Sequence, residues 1–211
     1  MATFVQGAAS TTNVTPQTIP FPGSVTAGNL LVLCLIDGAF TAAHPTVTDT
    51  QGNTWSVVQR YADRVAIYWT KASATGSLSV TVTSTTSFVR FSMAEFGGNW
   101  PSNPVDVTSA GTTSTTSPTS SNSVTPSSAN GVVIANVATI TDSSVSVSGG
   151  YTLGATGFSR VTLAHQVFST ISAYTATFTL GTPASGVYTQ NVAFIETTGG
   201  SARFRPYFIT G

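Results

Sequence analysis

Asn29-Leu30-Leu31-Val32-Leu33-Cys34-Leu35-Ile36 is an unbroken apolar run ringed by turn residues. It is too short to cross a bilayer as a helix, which takes roughly 20 apolar residues. A continuous apolar run of this length reads as a strand buried on both faces, in the middle of a β-sandwich. The single cysteine, Cys34, stands mid-run. That position predicts a buried, inert thiol and leaves no intrachain disulfide.

Outward from this run the chain alternates Ser, Thr and Val. Ser77-Leu78-Ser79-Val80-Thr81-Val82-Thr83 is strictly period-two, apolar on one face and hydroxyl on the other. Val65, Ile67 and Trp69 alternate with Ala66, Tyr68 and Thr70, and Val89, Phe91 and Met93 share an inward parity. Asp49-Thr50-Gln51-Gly52-Asn53 reads as a tight turn. Breakers are frequent, β-branched residues dominate and no helical period emerges, so the predicted class is all-β and antiparallel.

Only 7% of residues are charged against 41% hydrophobic, and seven basic side chains cancel seven acidic ones. A neutral, charge-poor surface carries no electrostatic footprint for nucleic acid or anionic lipid. No run is long enough for membrane insertion. The opening Met1–Gly7 lacks a basic segment followed by an apolar stretch, so no signal peptide is read in this chain. Solubility then rests on Ser and Thr hydroxyls, a composition that suits a virion surface or an extracellular setting.

The second half echoes the first. Ala27-Gly28-Asn29-Leu30-Leu31-Val32 is answered by Ala129-Asn130-Gly131-Val132-Val133-Ile134, and Val65, Ile67 and Trp69 by Val161, Leu163 and His165. Val89, Phe91, Met93 and Glu95 are answered by Gln190, Val192, Phe194 and Glu196. The expectation is a single antiparallel β-sandwich of jelly-roll type over residues 1–198, with two interleaved sheets and two pseudo-repeated halves. The halves run about 1–107 and 129–198, joined by a Ser/Thr-rich crossover, 108–128, with a C-terminal tail at 199–211.

The order of segments resembles a loosely characterised family of jelly-roll domains in bacterial surface proteins and phage-encoded, virion-associated proteins. The motifs are Ala27 to Val32, the Asp49, Gly52, Asn53 and Trp55 turn, Ile67-Tyr68-Trp69-Thr70, and Gly76 with Val80 to Thr83. Glu95-Phe96-Gly97-Gly98, then Asn103-Pro104-Val105-Asp106, and a final Ala193-Phe194 pair complete the pattern. The resemblance implies a non-catalytic adhesion, accessory or particle-coat module and carries over no catalytic residue.

The chemistry-bearing residues are few. His165 shares the parity of Val161, Leu163 and Val167 and reads as a core or rim histidine, while His44 has no ligand-spaced partner. No Gly-x-Ser-x-Gly elbow, His-Glu-x-x-His pair or phosphate loop occurs. The chain therefore reads as no enzyme, with no catalytic residue, cofactor or metal. Glu95 and Glu196 stand at echoing places and read as structural caps, accepting from backbone N–H groups or from Arg90 or Arg160. Asp49 with Asn53 reads as an Asx turn and not a calcium loop.

Two surfaces are expected to make contacts. The loop Gly97–Pro104 offers Trp100 with Asn99 and Asn103, and Tyr61 and Tyr68 are secondary. An exposed Trp flanked by amides suits a sugar ring or a protein hot spot. The tail offers Arg203, Phe204, Arg205, Tyr207 and Phe208 as an assembly arm added to a neighbour's sheet edge. The reading is a structural or interaction module whose partners are copies of itself or other subunits of an assembly. The alternative is a carbohydrate-binding module or adhesin for cell-surface glycan, working through the Trp100 loop.

Overall fold

In the computed structural model, which describes residues 1–38, 45–85, 88–155, 159–182 and 186–197, every side chain from Leu30 to Ile36 is buried. The central run is a strand, as its apolar continuity predicts. Eight strands precede residue 98: β1 (Thr3–Ala9), β2 (Gln17–Pro20), β3 (Leu30–Asp37), β4 (Thr46–Asp49), β5 (Ser56–Tyr61), β6 (Val65–Lys71), β7 (Ser79–Thr83) and β8 (Val89–Gly97). The rest are β9 (Val105–Thr108), β10 (Thr112–Ser114), β11 (Thr119–Ser120), β12 (Gly131–Ser143), β13 (Val145–Ser148), β14 (Thr152–Leu153), β15 (Ser159–Phe168), β16 (Thr177–Leu180) and β17 (Val187–Ile195). Among the described residues there is no helix, and the sheets are antiparallel.

The expectation of two interleaved sheets gives way to four. A five-stranded sheet, β1-β8-β3-β6-β5, has a three-stranded partner, β2-β7-β4. A six-stranded sheet, β10-β17-β12-β15-β14 with β9 beside β17, has its own three-stranded partner, β11-β16-β13. The reason is written in β3, whose two parities are both apolar. Leu31, Leu33 and Leu35 pack with Val80 and Val82 of the three-stranded sheet. Leu30, Val32, Cys34 and Ile36 pack with Val132, Ile134, Leu163 and Phe194 of the six-stranded sheet. β12 does the same in reverse, turning Val133, Ala135 and Val137 towards Phe178. A sheet apolar on both faces must be covered on both, and the result is four layers enclosing three apolar clusters.

Two strands, β10 and β9, stand beside β17 where β8 has β1 alone; the remaining strands follow a similar order in the two pairs of sheets. Register keeps the correspondence at the residue level. Leu30 lies opposite Phe96 as Val132 lies opposite Phe194. Val32 lies opposite Trp69 as Ile134 lies opposite His165. Phe4 lies opposite Phe96 as Val105 lies opposite Phe194. Gly28 (φ 86°) leads into β3 and Asn130 (φ 70°) into β12, the left-handed backbone that Gly takes freely and Asn tolerates.

The larger sheets face each other in opposite order: β15 lies across β8 and β3, β12 across β3, and β17 across β5. At one end of this interface the backbones touch, since a Cβ on Gly7 would collide with the Gly154 carbonyl oxygen. The crossover 108–128 supplies only the short strands β10 and β11 and the end of β9. The tail 199–211 and His44 lie outside the described residues.

Phe194 is fully buried in the central cluster. Phe194→Ala is expected to cost about 3–5 kcal/mol of unfolding free energy, read from the shift of a urea denaturation midpoint.

Candidate functional site

The buried carboxylates hold the frame together. Glu95, fully buried, accepts from Gln6 Nε2 (2.6 Å), Asn29 Nδ2 (2.7 Å) and Thr26 N (2.8 Å). Glu196 accepts from Ala2 N (2.7 Å) and Asn99 N (3.1 Å), so it ties the end of β17 to two segments of the first half. Asp49 Oδ1 accepts from Gln51 N (2.9 Å), and its Oδ2 from Asn53 Nδ2 (3.0 Å) and Trp55 Nε1 (2.7 Å). An Asx-type turn accounts for that residue, as the sequence reading has it.

Two details of the sequence reading need correction. Among the described residues neither Glu95 nor Glu196 meets an arginine: Arg90 instead pairs with Asp142 and donates through Nε to Asn13 (2.6 Å). Nor are the two glutamates equivalent. Glu95 lies opposite Leu31, and the residue opposite Val133 in the second half is Ala193. Glu196 stands three positions further on, just past the end of β17.

The predicted contact residues separate. Trp100 is a correction: it is 4% exposed, belongs to the central cluster and donates its indole N–H to the Phe96 carbonyl (3.0 Å). The Gly97-Gly98 pair folds the loop back so closely that a Cβ on Gly98 would stand 3.1 Å from the indole. Tyr68 is also buried, its hydroxyl donating to the Pro45 carbonyl (3.2 Å), and burial raises its pKa against the opposing pull of Arg60. Tyr61 is half-buried with its ring over Gly111, and its hydroxyl accepts from Thr113 (3.1 Å). Asn99 and Asn103 are exposed; Asn103 Oδ1 accepts from Val105 N (3.2 Å), leaving its amide nitrogen turned to other partners. Arg203, Phe204, Arg205, Tyr207 and Phe208 lie outside the described residues.

What the structure does assemble is a groove around Trp69. This residue shares the inward parity of Val65 and Ile67 but sits half-exposed at the rim of the central interface, beside the edge strand β5. Two open hollows share Trp69 in their linings. One, of about 380 Å³, is lined by Asn53, Thr54, Lys71 and Ser102; the other, of about 400 Å³, by Ser56, Val57, Asn103 and Val105. The Lys71 ammonium donates to the Trp100 carbonyl (2.7 Å), and no carboxylate lines either hollow. Parity alone assigns Trp69 to the core. The signal that marks it as rim is its place on the strand next to a short edge strand, and that pairing is visible only in the folded sheet.

His165, the register counterpart of Trp69, is closed off. Its ring stacks on Phe4 (centroids 4.6 Å apart, 10° between planes) and meets Phe96 edge-on at 5.3 Å. Burial lowers its pKa to about 4, and Nδ1 is without a hydrogen-bond partner. Burial likewise pushes the Cys34 thiol far up and Tyr151 to about 12, so neither ionises near neutrality. Among the described residues no group of three or more His, Cys, Asp or Glu side chains could hold a metal ion.

In comparisons with known proteins, no family model, no curated protein and no solved structure matches the chain.

The closed histidine makes stability depend on pH. Its folded pKa, about 4, lies below the ordinary 6.5, so between these values the unfolded chain binds a proton that the folded chain does not. Stability is fully present above pH 6.5, falls as pH drops towards 4 and levels off below. The loss approaches about 3 kcal/mol. Carboxylates also titrate near this window, so the readout is the difference in urea midpoint between the wild type and His165→Gln, which should close as pH falls. Glu196→Ala, measured the same way at neutral pH, leaves the Ala2 N–H buried without an acceptor and should cost roughly 1–3 kcal/mol.

Proposed function

We propose that the chain is a non-enzymatic structural and interaction module, a building block or decoration of a phage particle or of another extracellular assembly. It works through contacts with further copies of itself or with other structural subunits. On this reading each half is a jelly roll and the second half repeats the first. The order β1-β8-β3-β6 beside β2-β7-β4 is that of an eight-stranded jelly roll whose fifth strand pairs with the sixth.

The observation that carries the reading is the use made of the polar groups. Glu95, Glu196 and Asp49 accept from backbone and side-chain donors of the frame, Arg90 is held by Asp142, and His165 is sealed between aromatic rings. These side chains, of the kinds from which acid–base or metal chemistry is built, are committed to holding strands. The sheet ends at β4, β5, β13 and β14 are left for a neighbour's strand to extend. The resemblance of the segment order to surface and virion-associated jelly rolls points the same way.

Light scattering after size exclusion tests it. The purified chain should self-associate, and deletion of Ser201 to Gly211 should lower the oligomer mass while the far-ultraviolet circular dichroism stays that of a folded β protein. A chain that remains monomeric throughout the micromolar range would count against assembly as its role.

A further inference from the structure

The two ends of the central interface are built on the same register but finished differently. At one end His165 of β15 lies under Phe4 of β1, ring on ring. At the other, the same positions hold Trp69 of β6 and Val105 of β9. Val105 is too small to reach across, and between it and the indole lies the 400 Å³ hollow. Among the described residues no aromatic ring stacks on Trp69. The larger of two aromatic platforms has lost the ring that covers its counterpart, and a second hollow continues past it.

We propose that the Trp69 groove is a binding site for a neutral oligosaccharide, with one sugar ring lying on the indole where Phe4 lies on His165. A pyranose presents a C–H face that an indole accepts and a rim of hydroxyls that need polar partners. The lining offers such partners: Asn103, Thr54, Ser56 and Ser102 stand with Trp69 along the two hollows. The lining carries a single charge, the Lys71 ammonium, which donates to the Trp100 carbonyl; no acidic side chain lines either hollow, so no cluster of charges selects an ionic ligand over a neutral one. Both volumes fall within the range of small-ligand pockets, about 300–1,000 Å³. Two hollows sharing one indole suit a chain of rings more than a single one. The site stands apart from the assembly reading and needs no second copy.

The test uses the full chain and a panel of neutral hexasaccharides: maltohexaose, cellohexaose, mannohexaose and chitohexaose in its N-acetylated form. Indole N–H resonances and calorimetry report binding. At least one sugar should move the Trp69 resonance saturably, and an oligogalacturonate of the same length should bind no more tightly than that sugar. Trp69→Ala and Val105→Phe, the latter restoring the covering ring found at Phe4, should each weaken binding at least about tenfold. Should Trp69→Ala not fold, Ser102→Arg blocks the groove from an exposed loop position and reads the same outcome. The inference is overturned if no sugar of the panel moves that resonance, or if sugar binding survives both Val105→Phe and Ser102→Arg. It is equally overturned if a proline-rich peptide occupies the groove and the sugars do not.

Discussion

The structure depends on burying sheets that are apolar on both faces. β3 is the clearest case, since neither its odd nor its even residues reach water. A strand of this kind cannot lie in an ordinary two-layer sandwich with one face solvated. Its even-numbered face needs a partner, and the second half supplies one in the similarly two-faced sheet of β12, β15 and β17. The contact joins the halves through aliphatic and aromatic side chains, with β3 and β12 crossing near its middle. Separating the halves would expose this whole layer, an area of apolar surface that monomeric proteins rarely show to water.

Polar closure follows from the same lamination. Where strands end at the margin of the buried layer, their N–H groups are shut off from solvent and need acceptors from within the chain. Glu95 and Glu196 meet that need at different margins. Glu95 gathers donors from the first half alone, whereas Glu196 reaches from the second half to the first. Deep in the central layer, Asn136 donates to Gln190 at 3.1 Å, an amide pair among apolar neighbours. Such a pair favours one register of β12 against β17, where the two residues lie opposite each other, because a slip would separate the two amides in a medium that offers no substitute.

How far this was legible in the sequence depends on the range of the interaction. Strand identity is local, and the period-two alternation of Ser77–Thr83 or the unbroken run at Leu30 shows it without a fold in hand. Leu30 pairs with Phe96 and Val132 with Phe194, and the left-handed residues Gly28 and Asn130 stand shortly before Leu30 and Val132. The number of layers was harder to read. An apolar run says that both faces are covered but not by what: a further sheet, a loop or a neighbouring chain would each satisfy it. The echo of Glu95 in Glu196 fails because the register sets Ala193 at the place of Glu95, and Glu196 lies just past the end of β17. Trp100 fails for another reason: a loop residue has no period, and only the Gly98 backbone decides that its indole turns inward. Trp69 is the converse, inward by parity and yet at the rim.

That last case shows what a doubled frame permits. The interface between the halves has two ends with matching backbone positions, and its middle is secured by residues that belong to neither end, among them Cys34, Ile67, Ile134 and Leu163. With the middle holding the sheets in place, the ends are free to differ in side-chain size. Phe4 fills one end and stacks on His165, and the cost is a histidine that must stay neutral. Val105 leaves the other end open, and the cost is an indole partly facing water. Because the backbone beneath Trp69 is fixed by β3 on one side and β5 on the other, the platform needs no ordering before a ligand reaches it. Preorganisation of that kind is what allows a shallow groove with few polar contacts to hold a ring against the entropy of binding.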